Sequence, residues 1–430
     1  MLYSFTLFIY SRIVLPGLYL LANVAALFIP VLRSPVFGRR KTIPSLENYM
    51  HSLSARNNRP RVLIHAASMG EFEHIKPLIA RLTNVYKARI IVTFFSPSGF
   101  NHVKEFPGVD LFIYAPFDFP GMWKKFYQIL KPNLLIISKH DVWTNQVFQA
   151  KEAGVPVILA NASLGAKSGR VSPIARFLLR PVYQQMDKVF AIAEADKNRL
   201  QKLFKLRDVM ASGDTKFDQV LIRKEQKPPI ELLPQSWVHD HRVLIFGSIW
   251  PQGAEVVLAG ITELLNEFPN LRVVIAPHEP NAENFKNLLH YFPTLKPVFF
   301  TSRKISAKSR VVFIDTIGIL ADLYRYAHIA YVGGGFKQGI HNVMEAAAYD
   351  LPVIFGPVNQ NASEAGALVK SGGGFVVDSN EKFKILIRDF LQNEDKRLKT
   401  GLKAGEFAAR NTGATNRILN DPSVIKALTF

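Results

Sequence analysis

Glu71 stands where a short apolar strand gives way to a helix, in the stretch IHAASMGEFEHIKPLIARL (64–82). A carboxylate there has two uses. It can cap the first turn of the helix, where free N–H groups and the dipole favour negative charge. It can also act as a general base that takes a proton from a hydroxyl. Glu73 is a second acid in the same turn, but two residues along a helix it faces away from Glu71. A second chemistry-bearing stretch is YVGGGFKQGIHNVMEAAAYDLPVIFGP (331–357). Gly333, Gly334 and Gly335 leave the backbone free for tight turns and close ligand approach. A helix is expected from His341 or Asn342, with N–H groups suited to a phosphate. Glu345 follows one turn in, either accepting hydrogen bonds from sugar hydroxyls or serving as a first-turn acid. The stretch lacks both the GxGxxG spacing and the GK[ST] of a Walker A loop. Lys216 follows a glycine turn in GDTKFD, and Ser248, Pro277-His278 and Asp315 close further strands. A lone Lys or His after a strand is usually a solvated loop residue. Several in one region point to a phosphate-bearing ligand.

These residues need strands and helices to hold them. Apolar runs such as RVLIHAA (61–67) and ARIIVTFF (88–95) alternate with helical patterns, which predicts parallel strands joined by crossovers. The expected organisation is an N-terminal segment 1–41, a first α/β domain 42–221, and a Pro- and charge-rich linker 222–242. A second α/β domain 243–395 follows, then a helical tail 396–430 packing back on the first domain. Ligands of open α/β sheets bind at the carboxyl ends of the strands, which places the expected site in a cleft between two Rossmann-like domains.

Composition narrows the partners. Fifty-three Lys+Arg against thirty-four Asp+Glu give a formal charge of +19, favouring an anionic partner. The absence of cysteine excludes disulfides, cysteine–zinc sites and thiol catalysis. No zinc-finger spacing or aromatic nucleic-acid motif accompanies the charge, so no nucleic acid is expected as partner. Residues 13–32 are uncharged, and Arg33, Arg39, Arg40 and Lys41 follow. Twenty such residues are about the minimum for crossing a bilayer; a helix lying in the interface and a buried first helix are the rivals. Membrane attachment is expected, with the cationic flank on the cytoplasmic side.

Taken together, the segments HAASMGE, NASL, AEAD, GDTKFD, GSIWPQGAE, APHEP, DTIGILADLYRYAHIAYVGGGF and GIHNVMEAAAYDLPVIFGP resemble, in order and wording, the 3-deoxy-D-manno-octulosonic acid (Kdo) transferases of lipid A biosynthesis, from the N-terminal segment to about residue 378. The resemblance implies a GT-B glycosyltransferase fold and inverting transfer without a metal or cofactor. It implies CMP-Kdo as donor, a tetraacyl glucosamine disaccharide bisphosphate (lipid IVA) as acceptor, and residence on the cytoplasmic face of the bacterial inner membrane.

It also assigns roles. Glu71 matches the family's catalytic glutamate. The donor set is Lys216, Ser248, Pro277, His278, Gly333, Gly334, Gly335, Asn342 and Glu345: the glycine turn, Asn342 and Lys216 for the phosphate, Pro277-His278 and Glu345 for cytidine and ribose. Lys167, Arg170 or the 39–41 cluster would serve acceptor phosphates, or form a solvated face beside an anionic bilayer. Asp315 is expected to cap a turn. The chain departs from the family where Ala276-Pro277-His278 lacks an arginine between proline and histidine, and where Asp141 and Thr144 replace a usual glutamate and proline. The alternative is another membrane-associated glycosyltransferase that uses a nucleoside diphosphate sugar.

Overall fold

The computed structural model describes residues 8–53, 59–101, 103, 105–166, 168–226, 230–360 and 362–429. Lys167 lies outside them. The chain divides into two compact units, 1–219 with 412–430, and 220–411.

The first unit is built on seven strands: β1 (Arg61–Ala66), β2 (Arg89–Phe94), β3 (Leu111–Tyr114), β4 (Leu134–Ser138), β5 (Val157–Ala162), β6 (Lys188–Ala191) and β7 (Val209–Ala211). Their order is β3-β2-β1-β4-β5-β6-β7, and every pair is parallel. Strands covered by helices on both faces must be apolar throughout, and β4 and β5 are buried along their whole length. The register sets Leu63 between Ile91 and Leu135 on one core face, while Ile64 sits between Val92 and Ile136 on the other. Helix Met69–Tyr86 covers the second face through Phe72, Ile75, Leu78 and Leu82. Strand order reverses at β1/β4, so the loops after these two strands leave in opposite directions and open a crevice.

The second unit repeats the plan. Its strands are β8 (Arg242–Ile249), β9 (Leu271–Pro277), β10 (Val298–Phe299), β11 (Val311–Phe313), β12 (Ile329–Val332), β13 (Val353–Phe355) and β14 (Gly374–Val376). The order β10-β11-β9-β8-β12-β13-β14 puts its reversal at β8/β12.

Three expected boundaries are corrected. The stretch 222–242 is not a free linker. Helix Thr215–Glu225 runs through the division between the units. Arg325 Nη2 donates to the carbonyls of Arg223 (3.3 Å) and Gln226 (2.9 Å), and Trp237 is fully buried with its Nε1 donating to Ser309 O (2.7 Å). Its prolines and charges disguise an apolar anchor of Leu232, Leu233 and Trp237. The tail is divided as well. Residues to Asn411 belong to the second unit, where Gly401 and Gly405 of helix Glu394–Arg410 pack against Asp350. Residues from Thr412 join the first, where Asp218 accepts from the backbone N–H groups of Gly413 and Thr415 at 2.6 Å each.

The apolar stretch 13–32 is not one helix. A helix runs from Tyr10 to Phe28, its first turn wound as π, and breaks at the extended Ile29 before Pro30–Gly38 turns back against it. Arg33 closes the turn, donating to Ala26 O (3.3 Å) and Leu27 O (3.0 Å). Among the described residues Tyr10–Phe28 alone is long and apolar enough to cross a membrane, and it is mostly exposed. One side is docked: Tyr10 Oη donates to Asp118 (3.0 Å) and Ser11 Oγ to Asn145 (3.2 Å). Arg39 is not part of a surface cluster either. It is buried under the rings of Phe95 and Phe117, it donates to Phe95 O (2.6 Å), and burial lowers its pKa to about 10.

Candidate active site

In the first unit the crevice after β1 and β4 holds Glu71. Ser68 caps helix Met69–Tyr86, so Glu71 is its third residue, and Oε2 accepts from the Ala67 N–H at 2.7 Å. One carboxylate oxygen therefore pins the residue just before the cap, fixing the chain as it enters the helix. The other, Oε1, faces His140 Nε2 at 3.9 Å. Burial raises the Glu71 pKa above its ordinary value, against the pull of the Ala67 hydrogen bond. Burial pushes His140 down to about 4, and the nearby Arg170 and Lys139 charges push the same way. His140 is thus neutral at pH 7 and does not drain the basicity of Glu71. This combination, a buried carboxylate of raised pKa with one oxygen anchored and one presented to a half-exposed histidine, suits proton abstraction from a hydroxyl.

A second group supports the same crevice. Asp141 accepts from His65 Nε2 (3.1 Å) and Trp143 Nε1 (3.0 Å); Nε2 must be the donor, because a carboxylate only accepts. Burial would raise Asp141, but these bonds outweigh it and hold the carboxyl below its ordinary value. Glu73 is turned to Lys76 in an ion pair. Lys216 falls in the first unit, with Glu71: His74, one helical turn after Glu71, bonds Asp214 at 2.6 Å, and Asp214 accepts from Lys216 N at 3.0 Å.

In the second unit the crevice between β8 and β12 collects Ser248, Pro277, His278, the three glycines, Asn342 and Glu345. The glycines are required by the protein backbone itself. A Cβ on Gly333 would stand 2.0 Å from Ser248 O, one on Gly335 2.7 Å from Gly356 N, and Gly334 has φ +91°. Gly333 N–H is spent on Gly247 O (2.8 Å), whereas the N–H groups of Gly334 and Gly335 donate to no acceptor among the described residues. Ser248 takes φ 50° at a register shift between β8 and β9, an uncommon conformation for a side-chain-bearing residue. The helix after Asn342 is shorter than expected, Val343–Ala347, and Asn342 bonds both Met344 N (3.1 Å) and Glu345 Oε1 (3.1 Å). Asp315 caps the turn at Thr301, whose N–H it accepts at 2.9 Å, and not the segment that follows it.

Trp250 and His341 were missed as partners of His278. The His278 ring stacks on Trp250 at 4.1 Å and 19°, and Trp250 Nε1 donates to His341 Nε2 at 2.9 Å. His278 is the exposed member of this ring stack. Their sequence signal was a tryptophan directly after one strand end and a histidine at the far end of the glycine-rich loop after another, but only the β8/β12 and β8/β9 pairings bring 250, 278 and 341 together. Among the described residues no group of three or more His, Asp and Glu side chains is placed to hold a metal ion.

A family model described as 3-Deoxy-D-manno-octulosonic-acid transferase (kdotransferase) matches residues 43–219. The chain is 28% identical over 372 residues to the 3-deoxy-D-manno-octulosonic acid transferase of Haemophilus influenzae, covering 84% of this chain and 86% of that one. It is 27% identical over 366 residues to the enzyme of the same name from Aquifex aeolicus, covering 84% and 94%. Among solved structures, UDP-GlcNAc 2-epimerase from Neisseria meningitidis bound to UDP-GlcNAc superposes with a TM-score of 0.61 at 16% identity, over 86% of this chain and 99% of that one. The chain is a glycosyltransferase-type enzyme of GT-B-like fold, related to the Kdo-transferase family.

Proposed function

We propose that the protein transfers Kdo from CMP-Kdo to a hydroxyl of a tetraacyl, phosphorylated glucosamine disaccharide (lipid IVA), with inversion and with Glu71 as general base. The observation that carries this reading is the buried Glu71 carboxylate at the β1/β4 reversal, anchored by Ala67 and facing a neutral His140. In the proposed step the acceptor hydroxyl gives its proton to Glu71 as its oxygen bonds to the anomeric carbon. The bond from that carbon to the phosphate oxygen breaks, and CMP leaves with the electron pair. The N–H groups of Gly334 and Gly335, with Ser248 and Asn342, are the proposed partners of the departing phosphate, where preorganised donors are worth most. Pro277 and the Trp250–His278–His341 stack would take the cytosine, and Glu345 the ribose. Arg170 and Lys216 are proposed as cations for substrate phosphates on the side of Glu71.

The exposed apolar face of Tyr10–Phe28 supports attachment to an anionic membrane, proposed as the cytoplasmic face of the inner membrane. The break at Ile29 and the docked Tyr10 and Ser11 favour a helix lying in the interface over one that spans. The alternative reading is a transferase for a nucleoside diphosphate sugar. Calorimetry with CMP and with UDP separates the two. Mass-spectrometric detection of Kdo on lipid IVA, with donor generated in place, tests the main one: no transfer to any phosphorylated lipid disaccharide rules it out.

A further inference from the structure

Between the docked side of helix Tyr10–Phe28 and the body of the first unit lies a cavity of about 290 Å³, near the lower end of the range for ligand pockets. Leu18, Ala22, Phe117, Phe119, Trp123 and Trp143 are among its lining residues. Its charged member, Asp118, has its carboxylate occupied by Tyr10 Oη, Asn145 N and Gln146 N at 2.9–3.0 Å. The wall therefore asks for an apolar occupant. Two observations say which one. The helix that forms one wall exposes Ile13, Leu20, Leu21 and Val24 on its other side, so a single helix separates the cavity from the apolar face proposed to meet the membrane. The opposite wall is Trp143, stacked on Phe95 at 4.7 Å, and its Nε1 donates to Asp141 beside Glu71. The cavity is thus separated from the candidate base by one side chain and its carboxylate partner.

We propose that this cavity is a subsite for one acyl chain of the acceptor, which draws the chain end out of the bilayer and sets the acceptor's depth relative to Glu71. The proposal rests on the reading of the acceptor as an acylated lipid. An acyl chain seated here would have a fixed limit of length. Each buried methylene is worth about fourfold in affinity until the cavity is full.

The test uses full-length protein and Ala22→Leu and Ala22→Phe, which shorten the cavity in steps while keeping the helix apolar. A lysophospholipid brominated on its chain should quench Trp123 and Trp143 fluorescence in the wild type, less in Ala22→Leu and least in Ala22→Phe, and lipid IVA should relieve the quenching. KM for acceptors of increasing chain length should fall about fourfold per methylene, then level off earlier in the variants; membrane partition and CMP binding should match wild type. Equal quenching in all three proteins overturns the cavity as an acyl site. Graded quenching that lipid IVA does not relieve overturns the acceptor as its occupant, in favour of a membrane phospholipid. Absence of Kdo transfer, with quenching still graded and relieved, sinks the donor assignment and leaves the subsite standing.

Discussion

Glu71 Oε1 and His140 Nε2 stand 3.9 Å apart, and the histidine is neutral at pH 7 because burial and the Arg170 and Lys139 charges push its pKa to about 4. A cationic histidine at that distance would pull the glutamate down and weaken it as a base. The histidine therefore leaves the carboxylate without a cationic neighbour at this distance.

Glu71→Gln should separate a base from a structural anchor. The amide oxygen still accepts from Ala67 N–H, so the melting temperature should stay close to wild type, while transfer falls by about 10²–10⁴-fold. Glu71→Ala should lose the bond to Ala67 too, at about 1–3 kcal/mol. Near wild-type transfer by Glu71→Gln would remove Glu71 from the chemistry.

His140→Lys places a lasting cation beside Glu71. The acid limb of kcat/KM, expected above the ordinary glutamate value because burial raises Glu71, should move to lower pH. A pH–rate profile of both proteins checks this; an unmoved limb means that another group titrates in it.

Stability should also follow pH through His328. Burial holds it near 4, and its Nδ1 accepts from Val243 N–H at 3.1 Å. The unfolded chain binds the proton more readily, so this contribution is absent below about 4 and grows as pH rises towards 6.5. His140 adds the same sign, whereas Asp118, raised to about 6 by burial, opposes it over roughly 4–6. In His328→Asn the Asn side-chain oxygen keeps the Val243 bond without titrating, so melts at pH 4.5 and 7 should differ less than in wild type. An unchanged difference would discard His328 as the sensor.

Gly333→Ala should destabilise the second unit through the backbone, because its Cβ meets Ser248 O at 2.0 Å. A loss of about 1–3 kcal/mol is expected, against little change for Gly366→Ala, which meets open space. Equal melts for the two variants would contradict the backbone packing at Ser248.

Trp250→Ala should weaken CMP binding by about 1–3 kcal/mol if the base stacks on this platform, and Glu345→Gln by a similar amount if a charge-assisted bond to ribose is lost. Calorimetry is the measurement. Wild-type affinity in both would move the nucleotide away from the β8/β12 crevice.

The alternation of apolar runs with helical periods was enough to read two parallel, doubly wound sheets, because strands buried on both faces leave an unbroken apolar signature. It was enough to put Glu71, Lys216, Ser248, His278 and the glycines at strand ends, and to mark 13–32 as apolar. The sequence could not assign the partner of any of these. Glu71 meets His140 only because β1 and β4 are neighbours at the reversal, and Trp250 meets His278 and His341 only through the pairings of β8 with β9 and β12. Local pattern likewise hid that Gly333 answers to Ser248, that Asp218 holds Gly413 and Thr415, and that Trp237 buries the stretch read as a linker. Periodicity reports which face of an element is buried, since that is a local consequence of spacing. Which side chains then share a crevice depends on strand order and register, and those are decided by contacts between residues tens to hundreds of positions apart.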